Sequence, residues 1–163
     1  MGTVCCLAPV NEDQINELLA NPEGVSDFLE MSEEDEEIGG VDLDKAWHGI
    51  HFLLTGSAWE GEEPLCYLVR GGEEVGAEDD GARVLKPNQI ADWANTLSTI
   101  PADYLRKRFN PEAMMEVEIY PEIWDRASEE DDILGYLLEN YEALRSFLEQ
   151  TKNENKGAII SIM

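Results

Sequence analysis

The stretch VDLDKAWHGIHFLLTG, residues 41–56, contains both histidines of the chain and its most apolar helical pattern. Large side chains recur in it at the spacing of one helix face, at Trp47, Ile50, His51 and Leu54. Further apolar residues lie on another side, and a helix that is apolar over most of its circumference is typically buried. Asp42 or Asp44 is the predicted N-cap and Gly56 the predicted C-terminal stop. We therefore expect a central, buried helix.

The two ends of the chain carry the clearest strand signals. Residues 3–7 are small or β-favouring, which predicts a first strand that Pro9 closes. Residues 158–162 read AIISI, which predicts a strand at the other end. Residues 131–152 show the clearest long helical stripe, with leucines and a tyrosine on one face. These patterns predict an α+β fold with one domain over residues 1–163. Its small mixed sheet includes both terminal strands and packs against several helices, among them a buried central helix and a long C-terminal helix.

Shorter patterns predict the elements in between. Residues 11–14, Asn-Glu-Asp-Gln, match a capping box at a helix start. Residues 88–100 are typical of a helix that buries apolar side chains, and Asn110 followed by proline marks another helix start. Residues 116–121 alternate between polar and apolar, which predicts a short strand or extended segment.

Charge is the most unusual property of the chain. Thirty-six acidic and eleven basic residues give a formal net charge of −25. Lys45 is the first basic residue and thirteen acids precede it, so more than half of the net charge lies in the first 44 residues. Such a field disfavours nucleic acid and anionic membranes and attracts basic proteins. Solubility, or adaptation to a salty cytoplasm, explains the same composition without a partner.

Location follows from the absence of targeting patterns. No apolar run approaches the roughly 20 residues of a membrane-spanning helix, and the first residues lack the basic and apolar regions of a signal peptide. We expect a cytoplasmic protein that does not associate with membranes.

Two acidic clusters are the candidate residues for partner binding. They are Glu33, Glu34, Asp35, Glu36 and Glu37 in the first, and Glu78, Asp79 and Asp80 in the second. Both occur in polar segments with glycines, which is typical of solvated loops. The first lacks the alternating ligands and fixed glycine of a calcium loop. Each cluster is therefore either a solvated linker or a contact surface for a basic protein.

The histidines of the central stretch are the candidate metal ligands. His48 and His51 lie three residues apart and can face one side of a helix. A zinc site needs a third ligand and usually a fourth position, and the H-E-x-x-H spacing is absent. His51 shares the buried face with Trp47, which favours a hydrogen-bonded core histidine. We assign no metal, and we take Trp47, His48, His51 and Tyr120 as a candidate pocket.

No motif indicates catalysis or a bound cofactor. The P-loop, G-x-G-x-x-G and G-x-S-x-G patterns are all missing. Cys5 and Cys6 are adjacent, so in a strand they point to opposite faces, and Cys66 is left over. The cysteines are therefore predicted to be small buried residues. We assign no catalytic residue and no cofactor.

Three segments of the chain resemble the YfbM-like bacterial proteins, a family of unknown function. They are Met1-Gly2 before a short strand, residues 43–56, and Glu118-Ile119-Tyr120-Pro121. Family members often have a Gly-Gly pair, then an aromatic-glycine-proline element, then Ala-Arg. Gly71-Gly72 and Ala82-Arg83 are present here, but residues 79–81 (Asp-Asp-Gly) replace the middle element. The resemblance implies a small cytoplasmic α+β protein and carries over no catalytic residue.

The acidic residues are unevenly distributed and no set of catalytic residues is recognisable. The leading hypothesis is therefore a non-catalytic binding protein. One specific version is an immunity-type inhibitor that captures a basic toxin or effector. The alternative is a small-molecule or metal-dependent hydrolase that uses the central-helix histidines. A third hypothesis is a nucleic-acid mimic, whose carboxylates would need the spacing of phosphates.

Overall fold

The strands of the sheet come from both ends and the middle of the chain. The computed structural model describes residues 3–34, 39–76, 82–124 and 130–162. Five strands in this part of the chain form one sheet in the order β2-β1-β5-β4-β3. Their bounds are β1 Cys5–Val10, β2 Val41–Asp42, β3 Glu73–Val75, β4 Ala82–Leu85 and β5 Gly157–Ile162. Every neighbouring pair is antiparallel, although the sequence predicts a mixed sheet.

The terminal strands pair with each other at the centre of the sheet. β1 and β5 are in register from Cys5 opposite Ile162 to Val10 opposite Gly157. This confirms the predicted α+β fold with both terminal strands in one sheet. β1 continues through Pro9, past its predicted end. β2 is short and pairs with β1 only near its start, so the outer side of β1 is an edge at Pro9, where a missing N–H is tolerated.

Side chains of the sheet alternate between two separate hydrophobic cores. The larger core takes Cys5, Leu7, Leu85, Ala158 and Ile160 from the strands. The smaller core takes Ala8, Val10, Val75, Ala82, Val84 and Ile159. Because both faces are buried under helices, the molecule has three layers, with the sheet in the middle.

Two helices, α1 (Glu12–Ala20) and α2 (Val25–Glu34), cover the face of the smaller core. Ile15, Leu18, Val25 and Leu29 supply their buried side chains. The predicted capping box is present, because the Gln14 N–H donates to Asn11 Oδ1 at 2.8 Å and the Asn11 N–H donates to Gln14 Oε1 at 2.8 Å.

The other described helices pack in the larger core. They are α3 Trp47–Thr55, α4 Pro87–Ser98, α5 Ala102–Arg108, α6 Pro111–Glu116 and α7 Glu130–Asn153. Seven of the nine α3 residues are buried, which confirms the predicted central helix. Gly56 ends α3 in the left-handed conformation with φ 78°, and its N–H donates to Phe52 O at 2.7 Å. No described helix is both long and apolar enough to cross a membrane.

The start of α3 differs from the prediction. A 3-10 turn, Asp44–Ala46, precedes the helix, and no side chain caps α3 itself. Asp42 Oδ1 accepts the Asp44 N–H at 2.7 Å, so it stabilises the turn instead. The Asp44 carboxylate accepts a hydrogen bond from the Tyr136 hydroxyl at 2.6 Å, and that hydroxyl accepts the Lys45 N–H at 2.9 Å. These aspartates therefore fix the turn and its contact with α7.

The predicted short strand or extended segment over residues 116–121 is wrong. α6 extends through Glu116, and a turn follows in which Glu118 has a φ of 56°. The Ile119 N–H donates to Met114 O at 2.9 Å, and Ile119 is fully buried. Val117, the other apolar residue of the alternation, is 45% exposed. The alternation thus reflects one buried turn residue and not two faces of a strand.

Candidate functional site

Four rings meet beside the first turn of α3 and form what we call the aromatic cluster: Trp47, His48, Trp59 and Tyr120. Trp47 stacks on His48 with ring centroids 5.0 Å apart, and on Tyr120 at 5.9 Å. Trp59 lies over His48 at 4.3 Å and is itself 57% exposed. The structure therefore brings together three of the four predicted pocket residues and adds a solvent-facing tryptophan.

The backbone at Thr3 ties the cluster to the start of β1. Trp47 Nε1 donates to Thr3 O at 3.0 Å, and the Thr3 N–H donates to the Tyr120 hydroxyl at 2.7 Å. The side chains of Trp47 and Tyr120, which lie far apart in sequence, are thus both hydrogen-bonded to the backbone of Thr3. These bonds position the segment that leads into the central strands.

His48 has one defined protonation state. Its Nδ1 accepts the backbone N–H of Tyr120 at 2.8 Å, so Nδ1 carries no proton. Its Nε2 lies 2.8 Å from Ala58 O, to which it must donate. Burial lowers the pKa of His48, an effect that the Ala58 carbonyl partly opposes. His48 is thus a neutral ring that joins α3 to two loops.

His51 is buried one turn further along α3. Its Nε2 lies 3.3 Å from Thr55 Oγ1, and its Nδ1 has no hydrogen-bond partner in the described part of the chain. Burial lowers the pKa of His51 to about 4, with nearby His48 adding to the decrease and the Glu60 backbone opposing it. The ring is therefore uncharged at neutral pH.

This geometry restricts what the histidines can do chemically. His48 can accept a proton or a metal only by giving up its bond to Tyr120 N–H or to Ala58 O. His51 is completely buried, without access to a substrate in this conformation. Among the described residues, no group of three or more histidine, cysteine or acidic side chains is arranged to hold a metal. The arrangement is that of two structural histidines.

Arg83 explains why Gly71-Gly72 and Ala82-Arg83 occur together. Its guanidinium donates to Leu68 O at 2.7 Å and to Gly71 O at 2.8 Å, so β4 holds the preceding loop. Burial lowers the pKa of Arg83. A Cβ at Gly72 would lie 2.5 Å from Val84 O, and φ there is 78°, so only glycine fits. Gly71-Gly72 and Ala82-Arg83 therefore have a structural role, because they hold the loop against β4.

Two of the three cysteines are buried as predicted and are not activated nucleophiles, whereas Cys6 is only half-buried. Cys5 and Cys66 are buried, and burial is the main cause that raises the pKa of each thiol.

The basic cluster on α5 is used mainly within its own helix. Arg106 and Lys107 pair with Asp103 at 3.9 and 3.3 Å, and Arg108 lies over the Tyr104 ring at 5.3 Å. These contacts balance charge within the helix.

Most residues of the predicted acidic clusters lie outside the described residues. Glu33 and Glu34 belong to the last turn of α2, whereas Asp35, Glu36, Glu37, Glu78, Asp79 and Asp80 are not described. The structure instead shows a broader acidic surface, which we call the acidic layer. It consists of the exposed residues Glu12, Asp13, Glu17, Glu23, Asp27 and Glu30 of α1, α2 and their connection. No basic residue occurs before Lys45 to neutralise it.

A groove separates α1 and α2 within the acidic layer and has a volume of about 290 Å³. Its lining includes the apolar Leu18, Phe28 and Met31 and the acidic Glu17 and Asp27. Met31 is 50% exposed. The sequence alone does not predict this groove, although Phe28 and Met31 stand at helical spacing beside several acids.

The three-layer α+β architecture is shared with a known family. The sequence model of a domain of unknown function, DUF1877, matches residues 1–161. Protein YfbM of Escherichia coli strain K12 is 28% identical over 172 residues, covering 100% of this chain and 99% of YfbM. The crystal structure of YfbM from Escherichia coli, a protein of unknown function, superimposes with a TM-score of 0.77 at 23% identity, over 98% of this chain and 99% of that one.

The chain therefore belongs to the DUF1877 family, and its fold is that of YfbM. The resemblance seen in the sequence is confirmed.

Proposed function

We propose that this protein is a non-catalytic binding protein that captures a basic protein through its acidic layer. The observation that carries this proposal is the concentration of exposed carboxylates on one side of the sheet, in a segment of 44 residues without a single cation. Charges of one sign on one surface attract and orient an oppositely charged partner.

The distribution of ion pairs supports this surface. The salt bridges found among the described residues involve β3, Lys86 just before α4, α5 and α7, and none involves α1 or α2. The carboxylates of the acidic layer are therefore available to a partner. Residues 33–37 begin in the last turn of α2 and extend the same acidic sequence, and residues 78–80 are a second acidic segment for contact.

The partner in the specific form of this proposal is a basic toxin or effector, and the protein acts as its immunity-type inhibitor in the cytoplasm. An inhibitor of this kind needs only a complementary surface, so it requires no catalytic group. The hydrolase alternative finds no support in the geometry, because both ring nitrogens of His48 are occupied by backbone groups.

The test is capture from the native cytoplasm with immobilised protein at low and moderate salt. The first variant carries amide substitutions at all six residues of the acidic layer, and a second neutralises residues 33–37. A control with the same charge change as the first carries glutamine at Glu62, Glu112, Glu116, Glu122, Glu139 and Glu154, which are exposed residues outside α1 and α2.

We expect a basic protein to be retained by the wild type and the control at low salt and released at moderate salt. Both substituted surfaces are expected to lose it. Equal retention by all variants, or binding that salt does not weaken, contradicts the proposal.

A further inference from the structure

We infer that the groove between α1 and α2 binds a cationic segment of the partner in which one large apolar side chain is flanked by lysine or arginine. This inference rests on the proposed function and specifies which part of the acidic layer makes the central contact.

The floor and one wall of the groove are apolar. Leu18 is 5% exposed and belongs to the smaller core, and Phe28 packs against that core. Met31, at 50% exposure, is one of few large apolar side chains that the described residues present to solvent. Methionine is flexible and polarisable, so it adapts to differently shaped apolar groups. An apolar side chain of the partner is therefore favoured at this position.

The rim of the groove is acidic on both helices. Glu17 from α1 and Asp27 from α2 line it, and both are exposed. Asn21, in the connection between the helices, adds a polar side chain. Because carboxylates stand on each side of an apolar floor, the complementary ligand has cations on each side of an apolar group.

The small size of the groove and its opening to solvent favour a side chain of a protein partner over an enclosed metabolite. Its volume of about 290 Å³ is at the lower limit of small-molecule pockets. It holds one or two side chains and is open to solvent, which suits an exposed protein segment that lies across the two helices.

Binding of two labelled peptides tests this inference. One has a central leucine with three lysines on each side, and the other has serine in place of leucine at the same charge. Fluorescence anisotropy at low salt is expected to give an affinity about tenfold higher for the leucine peptide, because only this peptide buries an apolar side chain in the groove.

Matched variants locate the contact. Met31→Ser is expected to abolish most of the preference for leucine, whereas Val117→Ser, at a similarly exposed apolar residue of the other layer, leaves it unchanged. Glu17→Gln with Asp27→Asn is expected to weaken both peptides severalfold more than Glu116→Gln with Glu139→Gln. In each comparison, the same kind of substitution is made once in the groove and once at an exposed site outside it.

Three outcomes overturn the inference. Equal affinity for the two peptides, with the acidic layer still required for partner capture, refutes the groove contact alone. Failure of both peptides to bind at low salt counts against the groove and the proposed function together. A wild-type dimer in sedimentation velocity that Met31→Ser converts to a monomer assigns the groove to a second copy of this chain.

Discussion

At the residue scale, the two histidines show how identical side chains on one helix take different roles. His48 is held by two backbone bonds, whereas His51 keeps one buried nitrogen without a partner in the described part of the chain. Both have a lowered pKa because burial disfavours the charged ring.

Nitrogen NMR can check these states directly, since the chain contains only two histidines. We expect His48 to be the Nε2–H tautomer and His51 to titrate near pH 4. A folded-state pKa below the unfolded value near 6.5 means that His51 contributes its full stability above pH 6.5 and loses it as pH falls toward 4. At about 1.4 kcal/mol per pKa unit the loss is roughly 3 kcal/mol. Titration of either ring near pH 6.5 contradicts this.

Chemical denaturation of the wild type and of His51→Leu at several pH values also measures how the contribution of His51 to the free energy of unfolding depends on pH. The difference in unfolding free energy between the two proteins is expected to shift against the wild type as pH falls. A difference that does not change between pH 7 and 4.5 would show that His51 is not held neutral.

Gly49 is a second residue at which the surrounding side chains decide which amino acid fits. A Cβ there would lie 2.8 Å from Leu137 Cδ2 and 2.9 Å from Trp124 Cη2. Gly49→Ala is expected to destabilise by about 1–2 kcal/mol, because overpacking exceeds the gain in helix propensity. Gly135→Ala in α7, where nothing lies within 4 Å, is expected to stabilise by up to about 1 kcal/mol. Urea denaturation measures both, and equal signs for the two would refute the packing argument.

At the element scale, Arg83 connects β4 to a loop that has no regular structure of its own. Its two charge-assisted bonds to Leu68 O and Gly71 O satisfy carbonyls that the sheet does not reach. Tyr67, in the same loop, packs edge-on against Trp93 of α4 with centroids 5.6 Å apart. The strand, the loop and α4 thus form one unit.

Arg83→Ala is expected to destabilise the protein by about 2 kcal/mol or more, because two carbonyls lose a charged donor. Lys107→Ala, which removes an exposed salt bridge to Asp103, is expected to change stability by less than about 0.5 kcal/mol. Chemical denaturation compares them. Similar small effects for both would mean that solvent replaces the Arg83 bonds.

At the scale of the whole molecule, the uncompensated charge opposes folding. The acidic layer places six exposed carboxylates on two helices and their connection without a cation nearby in sequence, and their repulsion is present in the folded state. The acidic layer therefore lowers the stability of the folded state.

Relieving this repulsion is expected to raise the melting temperature. Added salt should do so for the wild type, and amide substitution of the acidic layer should reduce the effect of salt. For a chain of this size each kcal/mol gained corresponds to about 2–4 °C. Differential scanning calorimetry at low and high salt measures the change, and a melting temperature independent of salt in both proteins would contradict the argument.

The sequence by itself determined the features that depend on local chemistry. The burial of α3, the Asn11 capping box and the leucine stripe of α7 follow from the spacing and type of nearby residues. The pairing of β1 with β5 followed from two strong strand signals in a short chain. Trp47, His48 and Tyr120, three of the four residues taken as a candidate pocket, lie together in the structure.

Tertiary structure alone decided the contacts between segments far apart in sequence. His48 receives its proton donor from a backbone 72 residues away, and the Arg83 acceptors lie 12 and 15 residues earlier. The alternation before Pro121 and the groove beside Met31 likewise take their meaning from what packs against them. Periodicity reports which side of one element is apolar, whereas these features depend on the position of a second backbone that periodicity does not encode.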